Sequence, residues 1–374
     1  MNNYDYRETK DMAGVSVQSP INVLETKPDN VINAMRSRCS WPNFRAALKK
    51  ANLPAGLGWT ELAVVAADKN GNGPKVRQLL ANYYYEHVIA GARYVQVYDL
   101  PQGIKTVLLS ALKNATVPKS DFQATYPLPI SSQTLMSAPS DPTLVEIRPL
   151  NKDDYALVFC SVRSYEDREK YEYSQLPSLV QQTYKGIDEL ITVKKIHFQA
   201  FDVVVIRTGL ERIEVCIDQP SKGVRGFLGT AVLGVFGTLC NNIPALQSAW
   251  QTPPYNVFKA IPGIYFQQGE GTVRSLSFRT RTGSRKHEKM IKSDDDLRSE
   301  KFHHAGVEAV DNKISPYELT VDWNSALPPG QVEIAMKALI REVSGTAPQL
   351  DGFYVEADTA QLVAVGINKV LKYL

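Results

Sequence analysis

The sequence predicts an α+β protein, and three observations carry that prediction. Helical periodicity dominates up to about residue 115; a stretch rich in Pro, Ser and Thr, without periodicity, fills 116–142; strand-like alternation dominates beyond it. Helical segments between the later strands are too few for a parallel wound sheet, so the sheet is expected to be antiparallel. The expected organisation is a helical N-terminal module (1–115), a linker (116–142), a central antiparallel sheet domain with a helix (143–262), and a C-terminal β-plus-helix domain (263–374).

In the N-terminal part, residues 1–28 are polar, mixed in charge and lack the apolar core of a signal peptide, so they read as a flexible lead. Helical spacing starts near Asn30. A short helix over 43–51 follows Pro42, and Thr60 caps another that runs to Ala67. The loop 68–73 resembles the first half of a calcium-binding loop, with Asp68, Asn70 and Asn72 at positions one, three and five and Gly73 at six. Its twelfth position is Leu79, where a bidentate Glu is required, so a plain interhelical turn is expected. Pro74 opens the most regular helix, with Val76, Leu79, Leu80, Tyr83, Tyr84, His87 and Val88 on one stripe and Gly91 as its stop. His87 on that stripe reads as a core histidine. Residues 93–98 alternate as a strand and 104–113 form a helix, a pattern that a winged-helix module would share.

Beyond the linker, strands are expected over 144–148 and 155–162, then a charged loop or hairpin tip over 163–173 and a helix over 178–190. Paired strands follow at 192–206 and 212–217. Residues 226–240 are apolar and glycine-rich but shorter than the roughly 20 residues a bilayer span needs, so a buried helix packed through its glycines is expected and no membrane contact. The C-terminal part reads as strands over 301–310 and 317–323, a helix over 331–343, a strand over 353–357, and a closing helix capped by Asp358.

Chemistry-bearing patterns are sparse. There is no GxGxxG, no GK[ST] loop, no GxSxG elbow and no HExxH. Cys39, Cys160, Cys216 and Cys240 are far apart and form no CxxC, so their spacing suggests neither a zinc ribbon nor a disulfide framework. Neither a metal nor a cofactor is expected, and reduced thiols point to a cytoplasmic protein. His303 and His304 are adjacent and, on a strand, would face opposite ways. Asp202 and Glu214 on neighbouring strands are laid out like the carboxylate pair of a metal-dependent nuclease. Cys216 occupies the place of that motif's lysine, however, and Glu214 alternates with apolar neighbours.

One segment stands apart in charge. Arg274, Arg279, Arg281, Arg285, Lys286, Lys289 and Lys292 fall in one extended run broken by a turn at Thr282, Gly283 and Ser284, just before Asp294, Asp295 and Asp296. With a net charge of only +3, affinity for nucleic acid has to come from such a local patch. Cations on one strand face would displace counterions from a phosphate backbone, DNA or RNA, with Tyr265, Phe266 and Phe278 as nearby aromatics. The leading expectation is a non-catalytic nucleic-acid-binding protein, such as an accessory or sensor protein of a mobile-element or defence cassette. The alternatives are a hydrolase using Asp202 and Glu214, and an assembly protein acting through a protein partner or a homo-oligomer. The bland reading of the basic run is a solvated hairpin whose charge the aspartates neutralise.

Overall fold

A computed structural model of the chain describes residues 27–219, 227–248, 251–292, 294–339, 343 and 347–374. The expected flexible lead lies almost wholly outside these residues. The described chain forms twelve helices and one ten-stranded antiparallel sheet, an α+β fold. In order these are α1 (Pro28–Arg36), α2 (Trp41–Lys50), α3 (Trp59–Ala67), α4 (Gly73–His87), β1 (Gly91–Asp99), α5 (Lys105–Asn114), α6 (Asp121–Thr125), α7 (Ser132–Leu135), β2 (Thr143–Pro149), β3 (Asp154–Glu172), α8 (Ser178–Thr183), β4 (Glu189–Arg207) and β5 (Arg212–Asp218). The second half holds α9 (Leu228–Asn242), α10 (Ala260–Phe266), β6 (Thr272–Thr280), β7 (Arg285–Lys289), α11 (Lys301–Glu308), β8 (Ile314–Ala326), β9 (Pro329–Lys337), β10 (Phe353–Ala357) and α12 (Ala360–Leu371).

The strand order is β2-β3-β4-β5-β1-β10-β9-β8-β6-β7. Strand β1, from the helical N-terminal segment, therefore sits mid-sheet, with β5 on one side and β10 on the other. The sheet runs across the boundaries expected at residues 115, 143 and 262, and β1 is a central strand, not a wing. The stretch 116–142 is packed too: Phe122, Tyr126 and Ile130 are buried in the core that also holds α1–α4.

Helices cover both faces of the β3–β4–β5–β1 half, which explains its unbroken apolar runs. On β4, Val203 and Val205 pack on the side of α1–α4, while Val204 and Ile206 pack on the side of α5 and α9. Beyond β1 the first face continues under α10 and α12, with Val332, Ile334, Met336, Phe353 and Val355 beneath them. Helix α9 is the expected apolar helix, buried through Ala231, Val232, Val235, Phe236 and Leu239. Its glycines do less than expected: a Cβ on Gly229 or Gly237 would meet nothing within 4 Å. No described helix is long and apolar enough to cross a membrane.

Several expected elements change type. Residues 301–308 are helix because the Glu300 carboxylate accepts the His303 backbone N–H at 2.7 Å and so supplies an N-cap. The segment expected as a helix over 331–343 is instead strand β9 up to Lys337. Val332, Ile334 and Met336 alternate as well as they fit a helix, and β8 and β10 offer ladders on both edges. The helix expected over 178–190 shrinks to α8. Of the two readings for the charged stretch 163–173, loop and hairpin tip, the hairpin is the one found, as the outer part of an arm: β3 and β4 pair throughout their length, from Asp154↔Arg207 to Glu172↔Glu189. Because β2 stops opposite Cys160 and β5 stops opposite Val203, the distal half of this hairpin is a two-stranded arm, roughly 30 Å long.

Candidate nucleic-acid interface

The basic run forms the hairpin β6–β7 at one end of the sheet. Val273, Leu276 and Phe278 are buried and fix which side of β6 faces the helices. The turn closes through Gly283 at φ +88, with the Ser284 N–H donating to Thr280 Oγ1 at 3.1 Å. The register Arg279↔Arg285, Ser277↔His287 and Ser275↔Lys289 then places Arg279, Arg285, His287 and Lys289 on the face away from the core. Phe278↔Lys286 and Leu276↔Glu288 share the other face, where Glu288 reaches His303 Nδ1 at 2.6 Å.

The seven cations do not share one role. Arg274 is engaged by Asp322 at 3.5 Å and by the Lys292 carbonyl. Arg279 is half-buried, while Arg281, Arg285, Lys286, Lys289 and Lys292 are exposed and have no ion pair among the described residues. Asp296 does not neutralise them. Its carboxylate caps a short 3₁₀ turn and pairs with Arg298 at 2.6 Å. Acids do lie on the outer face of the sheet: by register Asp322 and Glu333 share it, and Glu318 accepts from Ser277 Oγ at 2.6 Å, the same hydroxyl being 2.8 Å from His287 Nδ1. Of the nearby aromatics, Tyr265 and Phe278 are core residues in edge contact with His303, and Phe266 is half-exposed.

Among the described residues strand β7 pairs only with β6, which makes it an edge strand, and its sequence Arg-Lys-His-Glu-Lys would also discourage another strand from adding there. That role needs charge but no particular face. The outward register of Arg279, Arg285 and Lys289 is the additional feature.

The two carboxylates of the hydrolase alternative do not converge. Asp202 is opposite Phe159 and faces the α9 side, whereas Glu214 is opposite Val205 and faces the side of α1–α4. Each is buried and already paired. Asp202 takes Arg163 and the Asp218 backbone N–H at 2.9 Å, and burial raises its pKa. Burial alone would raise the Glu214 carboxyl, but Arg207 at 2.7 Å and Arg212 at 2.6 Å outweigh it and hold it below its ordinary value. A neighbouring network has the same structural character. Asp218 pairs with Arg38 at 2.8 Å and Arg93 at 3.4 Å, and Arg38 also lies 4.6 Å over the Phe201 ring, tying the end of α1 to β4 and β5.

Among the described residues one group is able to hold a metal ion: Cys39, His87 and Asp358. Burial pushes the Cys39 thiol up to about 12 and holds the His87 imidazole below its ordinary value. His303, by contrast, engages both ring nitrogens, with Tyr265 Oη at 2.8 Å and Glu288, which marks it as a core residue. The loop 68–73 is the interhelical turn that the sequence predicts, closed by the Asn70 N–H donating to Asp68 at 3.0 Å. No protein-family model matches the chain, and no curated protein matches it in sequence.

Proposed function

We propose that the protein binds nucleic acid, without catalysing a reaction on it, through the outer face of the β6–β7 hairpin. The observation that carries this reading is the register that sets Arg279 directly opposite Arg285 with Lys289 on the same face. Like charges placed directly opposite each other across a ladder are unfavourable, by a few tenths of a kcal/mol to about 1 kcal/mol, so the pairing calls for an anionic counterpart. Spaced guanidiniums on a strand match the oxygens of successive phosphates, and Arg281 at the turn extends the row. Such contacts track the backbone and read no bases, so DNA and RNA are both within the class of ligand. All four cysteines are free and three are buried, which fits a reducing, cytoplasmic setting for an accessory, non-catalytic partner.

The test is an electrophoretic shift series with duplex DNA, single-stranded DNA and RNA, each at 50 and 200 mM salt. Binding that weakens steeply with salt on at least one of the three supports the reading. No shift at low salt on any of them sinks it. Parallel lanes with Mg2+ report on cleavage, and none is expected.

A further inference from the structure

We propose that Cys39, His87 and Asp358 form a binding site for one divalent metal ion of the zinc class, independent of the nucleic-acid reading. The ligand atoms, the Cys39 Sγ, a His87 nitrogen and an Asp358 carboxylate oxygen, all lie within 4.8 Å of one another. Around a tetrahedral zinc, with bonds of about 2.0–2.3 Å, such atoms stand roughly 3.3–3.8 Å apart, so side-chain adjustments of about 1 Å close the site. One thiolate, one imidazole and one carboxylate suit zinc and its neighbours in the first transition row, and do not suit calcium or magnesium, which take oxygen.

The histidine supplies the second, independent observation. His87 is 6% exposed, and its Nδ1 is buried without a hydrogen-bond partner among the described residues. Its other nitrogen, Nε2, lies 3.3 Å from the Arg38 carbonyl oxygen, which can only accept. The ring proton therefore sits on Nε2 and leaves a lone pair on Nδ1. A metal-bound histidine has this arrangement, one nitrogen ligating while the other donates to a backbone carbonyl.

The remaining ligands also have outer partners that would orient them. The Asn43 amide donates to Asp358 at 3.0 Å, and the Tyr83 hydroxyl lies 3.6 Å from the Cys39 sulfur. Tyr83 is also stacked on His87, with ring centroids 6.0 Å apart, so the imidazole is held in orientation by packing as well. A cleft of about 70 Å³, lined by His87, Arg38, Gly91, Asp218 and Glu356, adjoins the histidine on the side of Gly91. On binding, the Cys39 thiol loses its proton to solvent and the metal–sulfur bond forms, with no change of oxidation state.

The test uses the full chain, stripped of metal by chelator dialysis and titrated with Co2+ and then Zn2+. One Co2+ per chain is expected, with a thiolate-to-cobalt charge-transfer band and tetrahedral d–d absorption, both abolished when Zn2+ displaces it. Cys39→Ser should lose the charge-transfer band, and Asp358→Asn, at a half-buried position, should weaken Co2+ affinity at least tenfold with an unchanged circular dichroism spectrum. Should Cys39→Ser fail to fold, the wild-type spectrum and Asp358→Asn still decide the question. Cobalt binding without a thiolate band, no stoichiometric binding, or an Asp358→Asn variant that binds as the parent does would each overturn the proposal.

Discussion

Replacing Arg279, Arg281 and Arg285 together by alanine puts the hairpin proposal at risk in a quantitative way. With Arg279, Arg281, Arg285 and Lys289 each neutralising one phosphate, log K for duplex DNA should fall against log salt with a slope of about −3.6, from about 0.9 per contact. Between 50 and 200 mM salt that is a loss of about 150-fold. The triple variant keeps Lys289, so its slope should flatten to about −0.9 and its loss over the same range to about 3- to 4-fold. Fold stability should move little. Arg281 and Arg285 are exposed, among the described residues Arg279 makes only a 3.5 Å contact with the Val343 carbonyl, and removing the facing arginines relieves repulsion. Binding isotherms by fluorescence anisotropy at four salt concentrations, with a urea denaturation curve for each protein, supply both numbers. A variant that keeps the parental slope and affinity refutes the assignment of this face. If it instead precipitates or self-associates while neither protein binds, the cations are there to protect the β7 edge.

Other consequences concern stability and exposure. Glu270 accepts from Trp323 Nε1 at 2.8 Å, Lys369 at 2.7 Å, Tyr373 at 2.9 Å and Lys372 at 3.2 Å; burial alone would raise its carboxyl, but these partners hold it at about 2, below its ordinary 4.5. A carboxyl depressed on folding stabilises above its unfolded pKa and loses that contribution as pH falls toward 2. Denaturation at pH 7 and pH 3 should therefore show Glu270→Gln about 2 kcal/mol less stable than the parent at pH 7, with the gap narrowing in acid; the full shift sets a ceiling of about 3 kcal/mol, reduced by the exposure of both lysines. Equal stability at pH 7 would show that Glu270 does not anchor α12. Glu214→Ala leaves the buried Arg212 guanidinium without its carboxylate and should cost about 3–5 kcal/mol by urea denaturation; a cost below about 1 kcal/mol would contradict the pairing described. In limited proteolysis the first cuts should fall between residues 163 and 198, in the two-stranded arm that exposes Ile191 and Val193, and not in 116–142, where Phe122 and Tyr126 are buried. Mass spectrometry of the early fragments decides that point.

The α+β class was legible because the change from helical to alternating spacing is a local property, and so was α4, whose long apolar stripe admits no other reading. Strand β9 was not, because Val332, Ala335, Met336 and Leu339 fit a helix as well as Val332, Ile334 and Met336 fit a strand; only the ladders offered by β8 and β10 decide between them. The hairpin's charge was visible in one dimension, yet the engagement of Arg274 by Asp322 and of Asp296 by Arg298 are tertiary facts. The metal-capable group was hidden for a further reason. Spacing motifs presuppose ligands on one segment, whereas Cys39 lies between α1 and α2, His87 ends α4, and Asp358 follows β10. What joins the last two is one register: Gly91 at the start of β1 pairs with Ala357 at the end of β10, so the residues just outside that pair fold toward each other. Gly91 also has φ +75, and a Cβ there would stand 3.1 Å from His87 Nε2, so the same glycine turns the chain from α4 into β1 and leaves room for the imidazole. In the sequence Gly91 reads as a helix stop, and its second task appears only when the sheet is closed.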